Sequence, residues 1–170
     1  MTLEQARTAA EKGDAKAQYI MGSSHYKGNS VEQDYAKAAE WFRKAAEQGL
    51  VEAQHDLAVC YKNGTGVEKD FEKAAEWFLK AAELGYVDSQ SIIGAYYIEG
   101  IGVAKDGTEA VKWTRKAAEQ GNAQAQNNLG VCYLNGIGVE KDVETAKEWF
   151  RKAAEQGYES AVELLKRMEQ

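Results

Sequence analysis

The stretch at residues 129–157, LGVCYLNGIGVEKDVETAKEWFRKAAEQG, decides the fold because the chain repeats it. Residues 57–85 read LAVCYKNGTGVEKDFEKAAEWFLKAAELG, which is nearly the same phrase 72 residues, or two periods of 36, earlier. The same interval of 36 separates four tryptophans and four aspartates, namely Trp41, Trp77, Trp113, Trp149, Asp34, Asp70, Asp106 and Asp142. A fixed period of this length without insertions is typical of a repeat solenoid, in which stacked neighbours bury the apolar face that one repeat leaves uncovered.

Each period contains two helical patterns, as the repeat at 50–85 illustrates. A first helix is predicted at 51–62, since its apolar residues recur at helical spacing, and Gly64 can adopt the left-handed conformation that ends it. Asp70 is a natural N-cap for a second helix at 71–84, because its carboxylate can accept the free N–H groups of the first turn. Trp77 and Phe78 are expected to face inward. The repeat is therefore a helical hairpin.

The whole chain is predicted to be one all-α domain, 1–170, with about ten helices and no strands. Its architecture is a right-handed superhelical α/α solenoid. The predicted parts are an N-terminal half-repeat at 1–13, four full repeats at 14–49, 50–85, 86–121 and 122–157, and a C-terminal capping helix at 158–170.

Two features inside this pattern have structural interpretations. Cys60 and Cys132 occupy the same slot two periods apart, too far for a disulfide, so both are interpreted as reduced core thiols. In the first repeat, Asn29 and Ser30 replace the Gly-x-Gly continuation of the other loops, so that loop is expected to be differently shaped.

The repeated phrase resembles the Sel-1-like repeat, a helical hairpin related to the tetratricopeptide repeat. The residues that carry the resemblance in the last repeat are Leu129-Gly130, Tyr133, Gly136-Ile137-Gly138-Val139, Asp142, Ala146, Trp149-Phe150 and Lys152-Ala153-Ala154-Glu155-Gln156-Gly157. The match extends over essentially the whole chain. It implies a non-enzymatic protein that holds other proteins on a curved helical surface. Members act as quality-control adaptors, bacterial virulence or host-interaction factors, and immunity proteins.

No catalytic residues, cofactor site or metal site are predicted. The two histidines, His25 and His55, are too few for a typical histidine metal site, and neither has a cysteine or acidic partner at ligand spacing. His25 stands in the slot of Tyr61 and is interpreted as a partly buried packing residue. The glycine-rich loops resemble phosphate loops only superficially, because no strand precedes them and no Lys-Ser/Thr follows.

Charge and apolar content limit the classes of partner and the cellular compartment that are expected. The formal net charge is −6 and the charges are mixed along the chain, which disfavours nucleic acid as a partner. No apolar run approaches the roughly 20 residues of a membrane span, so no membrane insertion is predicted. A monomer is expected. The N-terminus lacks the pattern of a secretory signal, which favours the cytoplasm, or the periplasm or exterior if a signal was removed.

The predicted binding surface is the concave face, which the first helices line in such solenoids. The slots opposite the core vary between repeats and include apolar and aromatic residues, which often mark an interaction site. The alternative is that some of them pack between adjacent first helices. The predicted protein-binding residues are Tyr19, Ser23, Tyr26, Glu52, His55, Val59, Lys62, Asp88, Ser91, Ala95, Ile98, Asn127, Val131 and Leu134.

Three functions are compatible with the sequence to different degrees. The first is a scaffold or adaptor that binds a protein or peptide without chemistry. The second is a bacterial immunity or inhibitor protein that neutralises a secreted toxin or effector. The third, an enzyme such as a hydrolase, is disfavoured because no nucleophile stands with a general base.

Overall fold

The structure, a computed structural model, describes residues 2–168, which form ten helices and no strand. Met1, Glu169 and Gln170, at the ends of the two predicted half-repeats, lie outside the described residues. The helices are α1 (Leu3–Glu11), α2 (Ala15–Lys27), α3 (Tyr35–Glu47), α4 (Val51–Asn63), α5 (Phe71–Glu83), α6 (Val87–Glu99), α7 (Gly107–Glu119), α8 (Ala123–Asn135), α9 (Val143–Glu155) and α10 (Glu159–Met168). The predicted all-α fold of repeated helical hairpins is confirmed.

Aspartates begin the second helix of each repeat, as predicted. The Asp70 carboxylate accepts the backbone N–H of Lys73 at 3.0 Å, and Asp34, Asp106 and Asp142 cap α3, α7 and α9 in the same way. This bond satisfies one of the N–H groups that the first turn of a helix leaves without a partner. The first helix α4 ends at Gly64, whose φ of 72° is the expected left-handed cap.

The chain divides into two compact units, and the first extends to Tyr86. In it, α2 pairs with α3 and α4 pairs with α5, while α1 packs on α2 and α3 packs on α4. Alanines such as Ala38 and Ala74 are fully buried where the helices meet. Phe78 is also fully buried, but Trp77 is half-buried, with the Lys80 ammonium 4.0 Å from its ring centre. The inward position expected for both rings therefore holds only for Phe78.

The second unit begins at Val87 and contains α6 to α10, each packed on the next helix in the chain. Two apolar clusters make up its core. One surrounds Leu129 and Cys132, and the other surrounds Ala146, Phe150 and Ala161. Helix α6 also touches α8, so successive first helices are neighbours here.

Glutamine pairs tie the hairpins together inside each unit. The Gln48 amide donates to Gln18 Oε1 at 2.7 Å, and the Gln18 amide donates to the carbonyl of Ala10 at 3.3 Å. In the second unit Gln120 bonds Gln90, and Gln156 bonds Gln126, each at 2.8 Å. The corresponding donor slot beside Gln54 holds Leu84, and the buried Gln54 Oε1 has no hydrogen-bond partner within residues 2–168.

The loops between paired helices keep one backbone shape in all four repeats. Ser30 has a φ of 61°, close to the 71° of Gly66 in the equivalent position, so the expected difference in the first loop is wrong. Gly66 lies directly against the Tyr35 carbonyl at the start of α3, where a Cβ atom would overlap that carbonyl.

Cys60 and Cys132 are both buried and unpaired, as predicted. Burial raises the pKa of each thiol to about 11. The thiolate is the reactive form of cysteine, so these side chains act as small apolar core residues.

Candidate functional site

The predicted binding residues of the first unit all remain at least partly exposed on helices α2 and α4. This surface is called the first-helix face, and it consists of Tyr19, Ser23, Tyr26, Glu52, His55, Val59 and Lys62. Their side chains share one side of each helix because they recur at intervals of three, four and seven residues. The helical period thus brings variable residues of two successive repeats to one surface.

A cleft of about 290 Å³ opens on this face and is called the Tyr19 cleft. Four of the predicted residues line it, namely Tyr19, Ser23, Tyr26 and Val59. Three further lining residues are not among the predicted binding residues, namely Lys27, Phe42 and Asp56, although Asp56 occupies a variable slot of the same face. Phe42 belongs to a second helix, and its slot repeats as a core position, so the sequence pattern had no signal for a role on this surface.

A hydrogen bond across the cleft joins the two first helices. Tyr19 Oη donates to Asp56 Oδ2 at 2.9 Å. Burial, and secondarily the adjacent Asp56 charge, raises the pKa of Tyr19 to about 12, so its hydroxyl stays protonated and remains a donor at neutral pH. Burial also raises the pKa of Asp56, although the Tyr19 hydrogen bond and the electrostatic effects of His55 and Lys27 oppose that shift.

Aromatic rings form much of the remaining wall of the cleft. The centroids of Tyr19 and Phe42 are 5.6 Å apart, and those of Tyr26 and Phe42 are 6.4 Å apart. Tyr35 packs edge-on against Tyr26 at 5.2 Å. These contacts hold the rings in place, so a ligand in the cleft would bind with little further ordering of these side chains.

The three remaining predicted residues of the first-helix face lie outside the lining of the Tyr19 cleft. His55 is half-buried, with its ring 5.5 Å from Phe78 and 4.6 Å from Tyr86, centre to centre. Glu52 is exposed and Lys62 is half-exposed. His55 therefore combines packing against α5 with a partly accessible ring edge.

The predicted residues of the second unit divide between surface and core. Asp88 is exposed and accepts a hydrogen bond from the Asn122 amide at 3.1 Å. Ser91 and Asn127 are only 1% and 6% exposed, so both are corrected from surface contacts to interior residues. They lie on α6 and α8, two first helices that also touch each other.

The apolar members of the second unit are half-buried rather than openly displayed. Ile98 packs against the Leu129 cluster, while Val131 and Leu134 pack against the Phe150 cluster. Ala95 is likewise half-buried. For these side chains, packing between helices describes the structure better than exposure on a binding surface.

The chemistry that the Tyr19 cleft offers is non-covalent: ring faces, hydroxyl groups, one carboxylate and one ammonium at its rim. Among residues 2–168 no group of three or more His, Cys, Asp or Glu side chains is placed to hold a metal ion. In the same range no helix is long and apolar enough to cross a membrane.

Comparison with known proteins gives a consistent family match. The family model described as Sel1 repeat matches residues 15–50, 51–86, 87–122 and 123–158. Each match contains one of the helical hairpins described above.

Two solved structures share the fold over nearly the whole chain. One is a protective antigen of uropathogenic Escherichia coli that displays an SLR fold, with 43% identity, a TM-score of 0.92, and coverage of 99% of this chain and 36% of the antigen. The other is a Sel1 repeat protein from Oxalobacter formigenes, with 37% identity, a TM-score of 0.85, and coverage of 91% of this chain and 63% of that protein. The predicted solenoid class is thereby confirmed.

A curated relative matches a shorter stretch. The secretory immunoglobulin A-binding protein EsiB of Escherichia coli O6:H1 is 45% identical over 43 residues, which is 25% of this chain and 9% of EsiB. The chain thus spans about a third of the antigen and less than a tenth of EsiB.

Proposed function

Because the chain belongs to the Sel1 repeat family, we propose that it is a non-enzymatic scaffold that binds a protein or peptide segment on the first-helix face, at the Tyr19 cleft. Sel1 repeat proteins generally mediate protein–protein interaction, and the family is a repeat-scaffold type. The proposal adds to this general role a location and a size for the bound group.

The single observation that carries the proposal is the Tyr19 cleft itself. Its volume of about 290 Å³ suits one large side chain of a bound segment. Tyr19 and Tyr26 present rings that are already held in position by Phe42 and Tyr35. Aromatic side chains in preformed pockets supply much of the binding energy in protein interfaces, since they bury large area at a small cost in side-chain entropy.

The named relatives support the class of partner and not its identity. EsiB is by its name a binder of secretory immunoglobulin A, which is a protein. The match covers 9% of EsiB, so its partner is not transferred to this chain. We propose no nucleic-acid role, because a net charge of −6 repels phosphates.

A peptide-display selection tests the proposal without knowledge of the natural partner. Random 12-residue peptides on phage are selected on the purified chain, and the recovered peptides are titrated against a Tyr26→Ala/Val59→Ser variant. Truncating two cleft residues should weaken binding about 10-fold or more, because such anchors are typically worth above 1 kcal/mol each.

The matched control is a Glu40→Ala/Glu76→Ala variant, which changes exposed residues of the second helices α3 and α5. It should bind the selected peptides as the unmodified chain does, and circular dichroism should show both variants equally helical. Equal binding by the Tyr26→Ala/Val59→Ser variant would place the peptides elsewhere and refute the proposed site.

A further inference from the structure

One acidic side chain in the Tyr19 cleft is incompletely neutralised. Asp56 is half-buried and accepts a hydrogen bond from the Tyr19 hydroxyl through one oxygen, Oδ2. Within residues 2–168 the close ion pairs join other residues, such as Lys37 with Asp34 and Lys73 with Asp70, and no lysine or arginine forms one with Asp56. A partly desolvated carboxylate without a cation in direct contact gains substantially when a cation reaches it.

Lys27 is the one lysine in the lining of the cleft. Its charge acts on Asp56 from a distance, since it lowers the pKa of that carboxyl against the larger effect of burial. Lys27 is the last residue of α2 and is exposed, so its long side chain can move aside freely. Asp56 lies in the middle of α4 and is held by Tyr19, so the carboxylate is the fixed charge of the cleft.

The aromatic lining suits the stem and the head of a long basic side chain. Tyr19, Tyr26 and Phe42 line the cleft together with the carboxylate, although Phe42 is itself only 3% exposed. Ring faces carry a negative quadrupole that attracts ammonium and guanidinium groups, and they also pack well against methylene groups. Charge and apolar surface therefore select the same type of side chain.

Comparison of the repeats shows that the fold does not require this pair. The slot of Asp56 holds Ile20, Ile92 and Asn128 in the other repeats, and the slot of Tyr19 holds His55, Ser91 and Asn127. No other repeat places a phenol in the first slot or a carboxylate in the second. The repeat fold therefore forms without this pair, and the pair is a particular feature of the Tyr19 cleft.

We propose that the Tyr19 cleft binds one basic side chain, arginine or lysine, of the partner segment, with its cationic group on the Asp56 carboxylate and its stem against the aromatic rings. This inference rests on the proposed function, and it specifies the chemistry of the segment that the scaffold binds. The cleft of about 290 Å³ has room for one such side chain and not for a folded element.

The test uses four libraries of nine-residue peptides, acetylated and amidated so that their ends carry no charge. The central residue is arginine, lysine, norleucine or glutamate, and the flanking positions are random uncharged residues. Fluorescence anisotropy measures the binding of each library to the full chain. The arginine and lysine libraries should bind roughly 10-fold tighter than the norleucine library, as expected for a charge-assisted hydrogen bond.

Three variants test whether the preference for basic peptides originates at Asp56. Asp56→Asn keeps an oxygen that can accept the Tyr19 hydrogen bond but removes the charge, and it should reduce the basic preference to less than about 2-fold. Glu76→Gln makes the same change in net charge on the exposed face of α5 and should keep the preference. Lys27→Met should bind the basic libraries as tightly as the unmodified chain or more tightly, because a competing cation is removed.

Each failure has a distinct meaning. Equal binding of the norleucine and basic libraries, all weakened by Tyr26→Ala, would overturn the inference and leave the proposed function standing with an apolar anchor. Tighter binding of the glutamate library, lost in Lys27→Met, would overturn it in favour of an acidic segment. Binding by none of the libraries would overturn both the inference and the proposed function.

Discussion

Leu84 shows how one residue can interrupt a repeated hydrogen-bond pattern. In three repeats the residue after the second helix is a glutamine that donates to the buried glutamine of the preceding first helix, as Gln48 does to Gln18 at 2.7 Å. Leu84 has the same backbone conformation as Gln48, with φ of −82° against −85°. Its side chain is 60% exposed, so it gains little from burial while Gln54 Oε1 stays without a partner in the described chain.

Replacing Leu84 with glutamine should stabilise the protein. The new amide can donate to Gln54 Oε1, and satisfying a buried acceptor is worth about 1 kcal/mol. In a chain of this size the melting temperature should rise by about 2–4 °C, measured by circular dichroism. Leu84→Met is the control, because methionine is unbranched like glutamine but has no hydrogen-bond donor. An equal shift in both variants would show that the amide is irrelevant.

At the scale of the residue, some features could be predicted from the sequence and others could not. Aspartate caps and the burial of Cys60 were predictable, since each depends on local or repeated pattern. The Tyr19–Asp56 bond joins two helices of different repeats, and its length depends on how those helices stack, which no local spacing encodes. Ser91 and Asn127 were misassigned for the same reason, because burial by neighbouring helices is not encoded in local spacing.

At the scale of the element, the loop between paired helices has a fixed backbone that tolerates different residues in different surroundings. Gly66 and Ser30 share a left-handed conformation, which glycine adopts freely and serine does not. The sequence indicated a changed loop at Ser30 because glycine was missing. The flanking helices impose the loop shape instead, so the substitution appears as local strain.

Ser30→Gly should therefore stabilise the chain by about 0.5–1 kcal/mol, the left-handed penalty less the extra entropy of glycine in the unfolded state. The reverse change in the equivalent slot, Gly66→Ser, should cost at least about 2 kcal/mol, because its Cβ would also overlap the Tyr35 carbonyl. Urea denaturation monitored by circular dichroism measures both.

Gly49→Ser separates conformation from overlap. Gly49 has a φ of 87°, and a Cβ there would meet nothing within 4 Å. This variant should lose only the conformational part, about 1 kcal/mol. Equal losses in Gly49→Ser and Gly66→Ser would contradict a close approach of the Gly66 loop to α3.

At the scale of the whole molecule, the repeated caps add up to a dependence on pH. The backbone N–H of Lys37, Lys73 or Thr145 lowers the pKa of the adjoining cap, Asp34, Asp70 or Asp142, below its ordinary value of 3.8. A lowered pKa in the folded state means stability that is present above pH 3.8 and lost as the pH falls through the lowered value. The pKa of Asp56 is raised instead, mainly by burial. Protonation of Asp56 at acid pH therefore removes the cost of burying its charge and does not destabilise the fold.

The midpoint of urea unfolding should thus stay nearly constant from pH 7 to about pH 5 and fall steeply below about pH 4. The triple variant Asp34→Asn/Asp70→Asn/Asp142→Asn keeps good N-cap side chains that do not titrate, so its midpoint should fall less at acid pH. An identical decline in both proteins would assign the acid sensitivity to other carboxylates.

The close approach of the loop glycines has a consequence for how such a chain can diverge. Gly66 contacts the main chain of α3, and Gly138 contacts the main chain at Gly107. Within each unit, contacts between main-chain atoms therefore set the spacing of successive hairpins. Contacts between main-chain atoms persist when side chains are substituted. Exposed residues of the first helices can therefore change over evolutionary time, and new ligands can be bound, while the spacing of the hairpins that carry them stays the same.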